Sequence, residues 1–232
     1  MGTEPPRCPI CREPSEPFYE DVRPFRACPS CEFVFTNRRA REEKAEAHYQ
    51  GQWGSLGEEW WRGLAENIIE SVAPYRKPRR ILDYGAGRGD LAEQFRKMGY
   101  DVTALEPMTD GYLKDQRYPN LFDLVVGVEV IEHLPNLWEE LEHVRRNTAP
   151  NGVIYFKTSI ADVLRDPDPT GFFREWKYKD DPTHLNFFSR RSIERLADIG
   201  EFEHIVAPNG TAFALISKRA GGVDSRALSK FY

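Results

Sequence analysis

Three groups of side chains in this 232-residue chain have types and spacing that could do chemistry. The first is Asp83-Tyr-Gly85-Ala86-Gly87-Arg-Gly89-Asp90, where three glycines alternate with other residues directly behind Ile81-Leu82. Glycine adopts positive φ and lets the main chain come close to a ligand. A strand, a glycine turn and a helix N-terminus in that order make a cradle for a nucleotide-like ligand. The second group is Glu129-Val-Ile-Glu132-His133, joined by His184 from a later loop. An imidazole titrating near neutral pH, His133 or His184, can take a proton from a hydroxyl, an amine or a carbon acid. Alternatively Glu129, Glu132, His133 and His184 form an oxygen and imidazole set for a divalent ion, Mg²⁺, Mn²⁺ or Zn²⁺, that lowers the pKa of an acceptor hydroxyl. A third reading makes the same string the structural start of a helix. The last group is Cys8-Pro-Ile-Cys11 and Cys28-Pro-Ser-Cys31, two C-x-x-C pairs separated by 16 residues. That spacing is that of a structural zinc ribbon, in which four thiolates close a tetrahedral site. Two disulfides or free thiols are the alternatives.

Elements must hold these groups in place. Leu91, Ala92, Phe95 and Met98 share one face, which predicts a helix over 89–98. With strands at 80–84 and 101–105 it forms a right-handed βαβ unit, whose ligand sits at the carboxyl ends of the strands. Residues 122–128 are a continuous apolar run, as in a central strand buried on both faces. Asn136 opens a helix, a strand follows at 153–158, Ser189 caps another helix, and 202–207 with 211–218 make a closing strand pair. Leu64, Ile68, Ile69 and Val72 mark a core-facing helix over 58–73, which Pro74 and Pro78 end. Residues 37–49 read as a solvated connecting helix. Tyr49, Trp53, Trp60 and Trp61 follow among glycines, as a lid or pocket wall or as ordinary packing on the sheet. Residues 159–188 are a long insertion dense in Asp, Pro and aromatics, the pattern of a lid or substrate loop.

The glycine pattern has no third glycine at the dinucleotide spacing. Its form, D-x-G-x-G-x-G, resembles motif I of class I S-adenosylmethionine-dependent methyltransferases. The strand end Glu106-Pro107 and the segment Phe122 to Leu134, with its Glu-x-x-Glu-His close, are similar to two further motifs of that family. The resemblance covers about residues 60–218. It implies an α/β fold with a doubly wound, mostly parallel Rossmann-like sheet, an antiparallel last strand and S-adenosylmethionine as cofactor. By the same resemblance Asp83 holds the glycine loop or the cofactor's ammonium group, and the amides near Gly85, Ala86 and Gly87, before Gly89, line the methionine moiety. Glu106, followed by Pro107, accepts from the ribose hydroxyls; a cap or solvent-facing acid is the other reading of Glu106. Glu129 reaches the ligand edge, and Tyr49 lies over the cofactor. Similar Glu-x-x-Glu-His ends serve as metal sites in ubiquinone-biosynthesis O-methyltransferases and small-RNA 2′-O-methyltransferases, while many relatives carry the string without metal. The chain departs from the family at 107–121. Those 15 residues are about half of what the usual helix, third strand and adenine-contacting acid need, so the third strand is missing or a stub.

The whole then divides into a zinc ribbon at 1–36, a helical linker and lid at 37–78, the methyltransferase domain at 79–218 and a tail at 219–232. A net charge of −5 argues against a broad grip on nucleic acid. No apolar run reaches the roughly 18 residues needed to span a membrane, and the first residues have no apolar signal core. The expectation is a soluble, cytoplasmic enzyme that methylates O, N or C of a small molecule or a peptide-derived natural product. An RNA or protein acceptor recruited by the ribbon, and a non-catalytic S-adenosylmethionine-binding protein, are the competing readings. The ribbon itself is read as structural, by analogy with cysteine-rich heads on sugar C-methyltransferases.

Overall fold

A computed structural model describes residues 6–37 and 56–217. The expectations for Tyr49, for most of the connecting helix and for the tail lie outside those residues.

The chain begins with two matching turns. Arg12 N donates to Cys8 O at 3.0 Å, and Glu32 N donates to Cys28 O at 2.8 Å. Both Arg12 and Glu32 take the left-handed conformation, at φ 63° and 59°. Each C-x-x-C pair thereby curls back on itself and aims both sulfurs inward. Between the turns lie β1 (Glu16–Glu20) and β2 (Pro24–Ala27), followed by β3 (Val34–Phe35).

Helix α1 (Glu58–Val72) buries Trp61, Ala65, Ile68 and Val72. β4 (Arg80–Tyr84), α2 (Asp90–Lys97) and β5 (Asp101–Leu105) form the expected βαβ unit with parallel strands. Residues 107–121 hold only the short helix α3 (Pro107–Asp110) and a 3-10 turn at Leu113–Asp115. The family's third strand is absent, which leaves β5 at the sheet edge. Beyond it come β6 (Phe122–Val128), a 3-10 turn at Ile131–His133, α4 (Leu137–Asn147) and β7 (Thr148–Lys157). The main sheet is completed by α6 (Arg190–Gly200), β9 (Phe202–Val206) and β10 (Ala212–Ser217), after α5 (Pro169–Glu175) and β8 (Asn186–Phe187). Its strand order is β5-β4-β6-β7-β10-β9, and β10 is antiparallel to both its neighbours. This is the doubly wound, Rossmann-like arrangement that the sequence predicts.

The insertion is not an open lid. It carries a 3-10 turn at Val163–Arg165, then α5, a 3-10 turn at Lys177–Asp180, and β8. β8 pairs with β3, Val34 opposite Phe187 and Phe35 opposite Asn186, so the small sheet β1-β2-β3-β8 draws its strands from both ends of the chain. Phe173 of the insertion sits at the centre of this joint core, 5.0 Å from Phe25 and 5.5 Å from Phe187 between ring centroids. The reason is area: three short strands beside four cysteines bury too little apolar surface alone, and the aromatic insertion supplies the rest.

Candidate active site

The glycine loop lies where β4 ends. Gly85, Gly87 and Gly89 all have positive φ, at 75°, 54° and 80°. A Cβ on Gly85 would also stand 2.5 Å from Val130 Cγ2, whereas one on Gly87 would meet nothing within 4 Å. Gly85→Ala should therefore cost about 2–4 kcal/mol from left-handed strain and overpacking together, and Gly87→Ala roughly 1–2. Thermal melts of the two variants check the difference, and equal melting points would contradict it.

The loop folds onto the end of β5. Gly85 N and Ala86 N donate to Leu105 O at 2.9 and 3.1 Å, and Gly87 N donates to Glu106 Oε2 at 2.8 Å. The three amides expected to face a ligand donate within the protein instead. Glu106 also caps α3, with Met108 N donating to its Oε1 at 3.2 Å. The capping reading of Glu106 is thus realised, and Pro107 is the first residue of the capped helix. A carboxylate has about four lone-pair sites, so Glu106 keeps acceptor capacity. It lines a cleft of about 490 Å³ with Ala86, Gly87, Gly89 and Asp110. Asp83 lies beneath, 2% exposed, and its Oδ2 has no hydrogen-bond partner. Burial pushes its pKa up to about 7, against the hydrogen bond from the Ala92 amide.

The second group gathers at the ends of β6 and β7. Glu129 sits at φ 52°, a left-handed conformation that costs a non-glycine residue on the order of 1–3 kcal/mol. Its carboxylate pairs with Lys157 Nζ at 2.9 Å. Glu132 is fully buried; Tyr178 OH donates to its Oε1 at 2.6 Å, while Oε2 has no partner. Burial, with Glu129 close by, drives the Glu132 pKa well upward. The Tyr178 hydroxyl also meets Thr158 Oγ1 at 2.7 Å and lies 3.3 Å from Glu129 Oε2.

His133 and His184 are brought together, with ring centroids 4.7 Å apart. His133 Nδ1 faces Thr183 O at 3.2 Å, and His184 Nδ1 faces Tyr178 O at 2.8 Å. A carbonyl only accepts, so each Nδ1 carries the proton and each Nε2 is the basic nitrogen. Burial lowers the His133 pKa to about 4 and lowers that of His184 too, although Asp181, whose Oδ2 lies 3.6 Å from His184 Nε2, opposes the shift. Ligand atoms of Glu132, His133 and His184 lie within 4.8 Å of one another, as do those of the four cysteines. The cysteine sulfurs stand 3.5–3.6 Å apart in three pairs. That is far beyond a disulfide bond and near the edge of a tetrahedron with Zn–S of about 2.3 Å.

Several residues of this site went unread in the sequence. Lys157 and Thr158 end a strand that was predicted without a function. Tyr178 is one of the insertion's aromatics, and its spacing does not set it apart from the others. Asn186, whose side-chain amide donates to Ile131 O at 3.0 Å and Leu134 O at 2.7 Å, fixes the turn that carries His133. Its one sequence signal is its place two residues after His184.

Such a sheet, with a glycine-loop cleft and an acid at the end of the second strand, defines the class: Rossmann-like methyltransferases that use S-adenosylmethionine. Residues 57–205 match the methyltransferase-domain family, and the chain belongs to that family. It is 30% identical over 102 residues to a ubiquinone biosynthesis O-methyltransferase of Photobacterium profundum, covering 34% of this chain and 43% of the relative. It is 25% identical over 169 residues to a malonyl-[acyl-carrier protein] O-methyltransferase of Enterobacter lignolyticus, covering 65% and 63%. The matches thus span less than two thirds of these curated relatives. Among solved structures, the plantazolicin methyltransferase BpumL in complex with SAH superposes with a TM-score of 0.55 at 16% identity, over 77% of this chain and 90% of that one. The likeness is one of fold. Among the described residues no helix is long and apolar enough to cross a membrane.

Proposed function

We propose that the chain transfers a methyl group from S-adenosylmethionine to a small-molecule or peptide-derived acceptor beside Glu132, His133 and His184. One observation carries the reading: the carboxyl edge of a single sheet bears both the glycine-loop cleft with Glu106 and the buried carboxylate–imidazole cluster. Val130, packed against Gly85, adjoins both. Glu106 would hold the ribose of the nucleoside, and Asp83 the glycine loop or the cofactor's ammonium group. The Glu106 carboxylate, oriented by two main-chain amides, keeps lone pairs for ribose hydroxyls, and the orphan oxygen of Asp83 suits a cationic or hydrogen-bonding ligand. S-adenosylmethionine supplies an already activated methyl group, so the protein's task is to orient the acceptor and exclude water. The O-methyltransferase names of the relatives make oxygen acceptors the first to try.

Glu132, His133 and His184 have the donor set for a divalent ion, which would lower the pKa of an acceptor hydroxyl there. Carbonyls fix both imidazoles with Nε2 basic, the usual support for a metal ligand. A general base is the second reading, but a His133 held near pKa 4 is a poor base at neutral pH. The four cysteines would hold a structural zinc ion.

Calorimetry with SAH tests the cleft. Wild type should bind, and Glu106→Gln should bind roughly tenfold or more weakly, as expected on weakening a charge-assisted hydrogen bond. No heat with wild type would sink the proposal. A methyl-release screen over phenols, sugars and peptide-derived acceptors then finds the substrate. With it, EDTA should abolish turnover and a divalent ion restore it, and Glu132→Gln should cost two decades or more. Full activity in EDTA with the ribbon intact would return the role to the histidines as bases.

A further inference from the structure

Two side chains of the β1–β2 turn reach the loop beside the histidine pair: Asp21, which pairs with Lys179 Nζ at 3.4 Å, and the buried Arg23. Arg23 lies in the tight turn between β1 and β2 and is 7% exposed. Its guanidinium leaves the ribbon and enters the loop that ends the insertion. There Nη1 donates to Pro182 O at 3.1 Å and His184 O at 2.8 Å, and Nη2 donates to Lys179 O and Asp181 O, both at 2.6 Å. Burying a cation is costly unless it is fully hydrogen-bonded. Four carbonyls, with Asp21 and Asp181 as nearby charges, meet that cost, while desolvation still lowers the Arg23 pKa.

Two of the carbonyls left over in this loop have a different use. Tyr178 O takes the hydrogen bond from His184 Nδ1, and Thr183 O takes the one from His133 Nδ1. Carbonyls 179, 181, 182 and 184 thus face Arg23, and 178 and 183 face the imidazoles. The two sets alternate along one seven-residue segment, so a shift of that segment away from Arg23 would also move the carbonyls that the imidazoles use. A planar fork with donors on two nitrogens can span four carbonyls, which a point-charge ammonium cannot.

We infer that Arg23 is a positioning residue for the His133–His184 pair, holding the 178–184 loop so that both rings carry their proton on Nδ1 and present Nε2. The inference deepens the proposed function, since it names a ribbon residue on which that site depends. Its readout needs no acceptor.

The test is long-range ¹H–¹⁵N NMR on the ¹⁵N-histidine-labelled full chain, with signals assigned by His133→Gln and His184→Gln. Wild type at pH 7.5 should show both rings as the neutral Nδ1–H tautomer. In Arg23→Ala, with a cooperative melt retained, at least one ring should shift to mainly Nε2–H, the form favoured in water. Tens of millimolar guanidinium should restore Nδ1–H, and methylammonium should not. Unchanged tautomers in Arg23→Ala would overturn the inference. If that variant does not fold, Arg23→Lys decides. Shifted tautomers in a cooperatively melting Arg23→Lys support the inference, and wild-type tautomers, or loss of the cooperative melt, overturn it. Failure of wild type to bind SAH would sink the proposed function yet leave the tautomers readable.

Discussion

Replacing Cys28 with serine, or stripping metal with a strong chelator, should unfold more than the ribbon. The four cysteines are buried in the same apolar cluster as Leu82, Ile154, Phe156 and Phe213 of the main sheet. Phe33 packs on Phe188 at 5.2 Å between centroids, and Phe188 packs on Phe213 at 5.8 Å. Trp138 of α4 donates its indole N–H to Ile10 O, between the first two cysteines, at 3.0 Å. A structural zinc site contributes about 10–16 kcal/mol of folding free energy in zinc-finger peptides, as much as the whole stability of a typical domain. Loss of the metal should therefore abolish the cooperative melt and redden the emission of buried Trp138. A two-step transition, with the main sheet melting at the wild-type temperature, would show that the ribbon folds apart from it and would refute this expectation.

Replacing Asp83 with asparagine should stabilise the ligand-free protein while weakening its hold on the cofactor. The folded pKa is raised from 3.8 to about 7 by burial. Between those pH values the unfolded chain releases the Asp83 proton and the folded chain keeps it. The unfolded state therefore gains as pH rises, and the cost is complete above pH 7. Three pKa units correspond to at most about 4 kcal/mol. Asparagine cannot ionise, and its carbonyl oxygen can still accept from the Ala92 amide. The variant should melt about 5–10 °C higher than wild type at pH 7.5 and at the same temperature near pH 4, while its SAH affinity falls. Melts across that pH range, with calorimetry, read both effects. A variant no more stable than wild type at pH 7.5 would show that Asp83 is accommodated as an anion.

Asp83 with its raised pKa, Glu129 with its positive φ and Glu132 with its orphan oxygen are three local conflicts, of the kind that cluster at functional sites. All three sit at the carboxyl ends of β4 and β6, where the α/β topology opens the sheet to a ligand.

Much of this was legible in the chain, because it depends on neighbours in sequence. The glycine turn requires positive φ at fixed offsets, so Gly85, Gly87 and Gly89 announce it. Each cysteine pair closes its own turn within a few residues. The missing third strand follows from counting, since 15 residues are about half of what the family's usual helix, third strand and adenine-contacting acid need. The role of the insertion did not follow, because its partner, the ribbon, lies more than a hundred residues earlier. Phe173 reads the same whether it faces a substrate or a neighbouring core.

The sequence alone determined the βαβ unit, the glycine loop and the turns of the two cysteine pairs, since backbone sterics and short-range periodicity write those locally, while the doubly wound sheet as a whole was implied by the resemblance to the methyltransferases. Only the tertiary structure decided that Arg23, Tyr178, Lys157 and Asn186 stand around Glu132, His133 and His184. Hydrogen bonds to main-chain carbonyls leave no trace in residue type, and what an arginine or an asparagine binds is set by the segments that packing brings beside it.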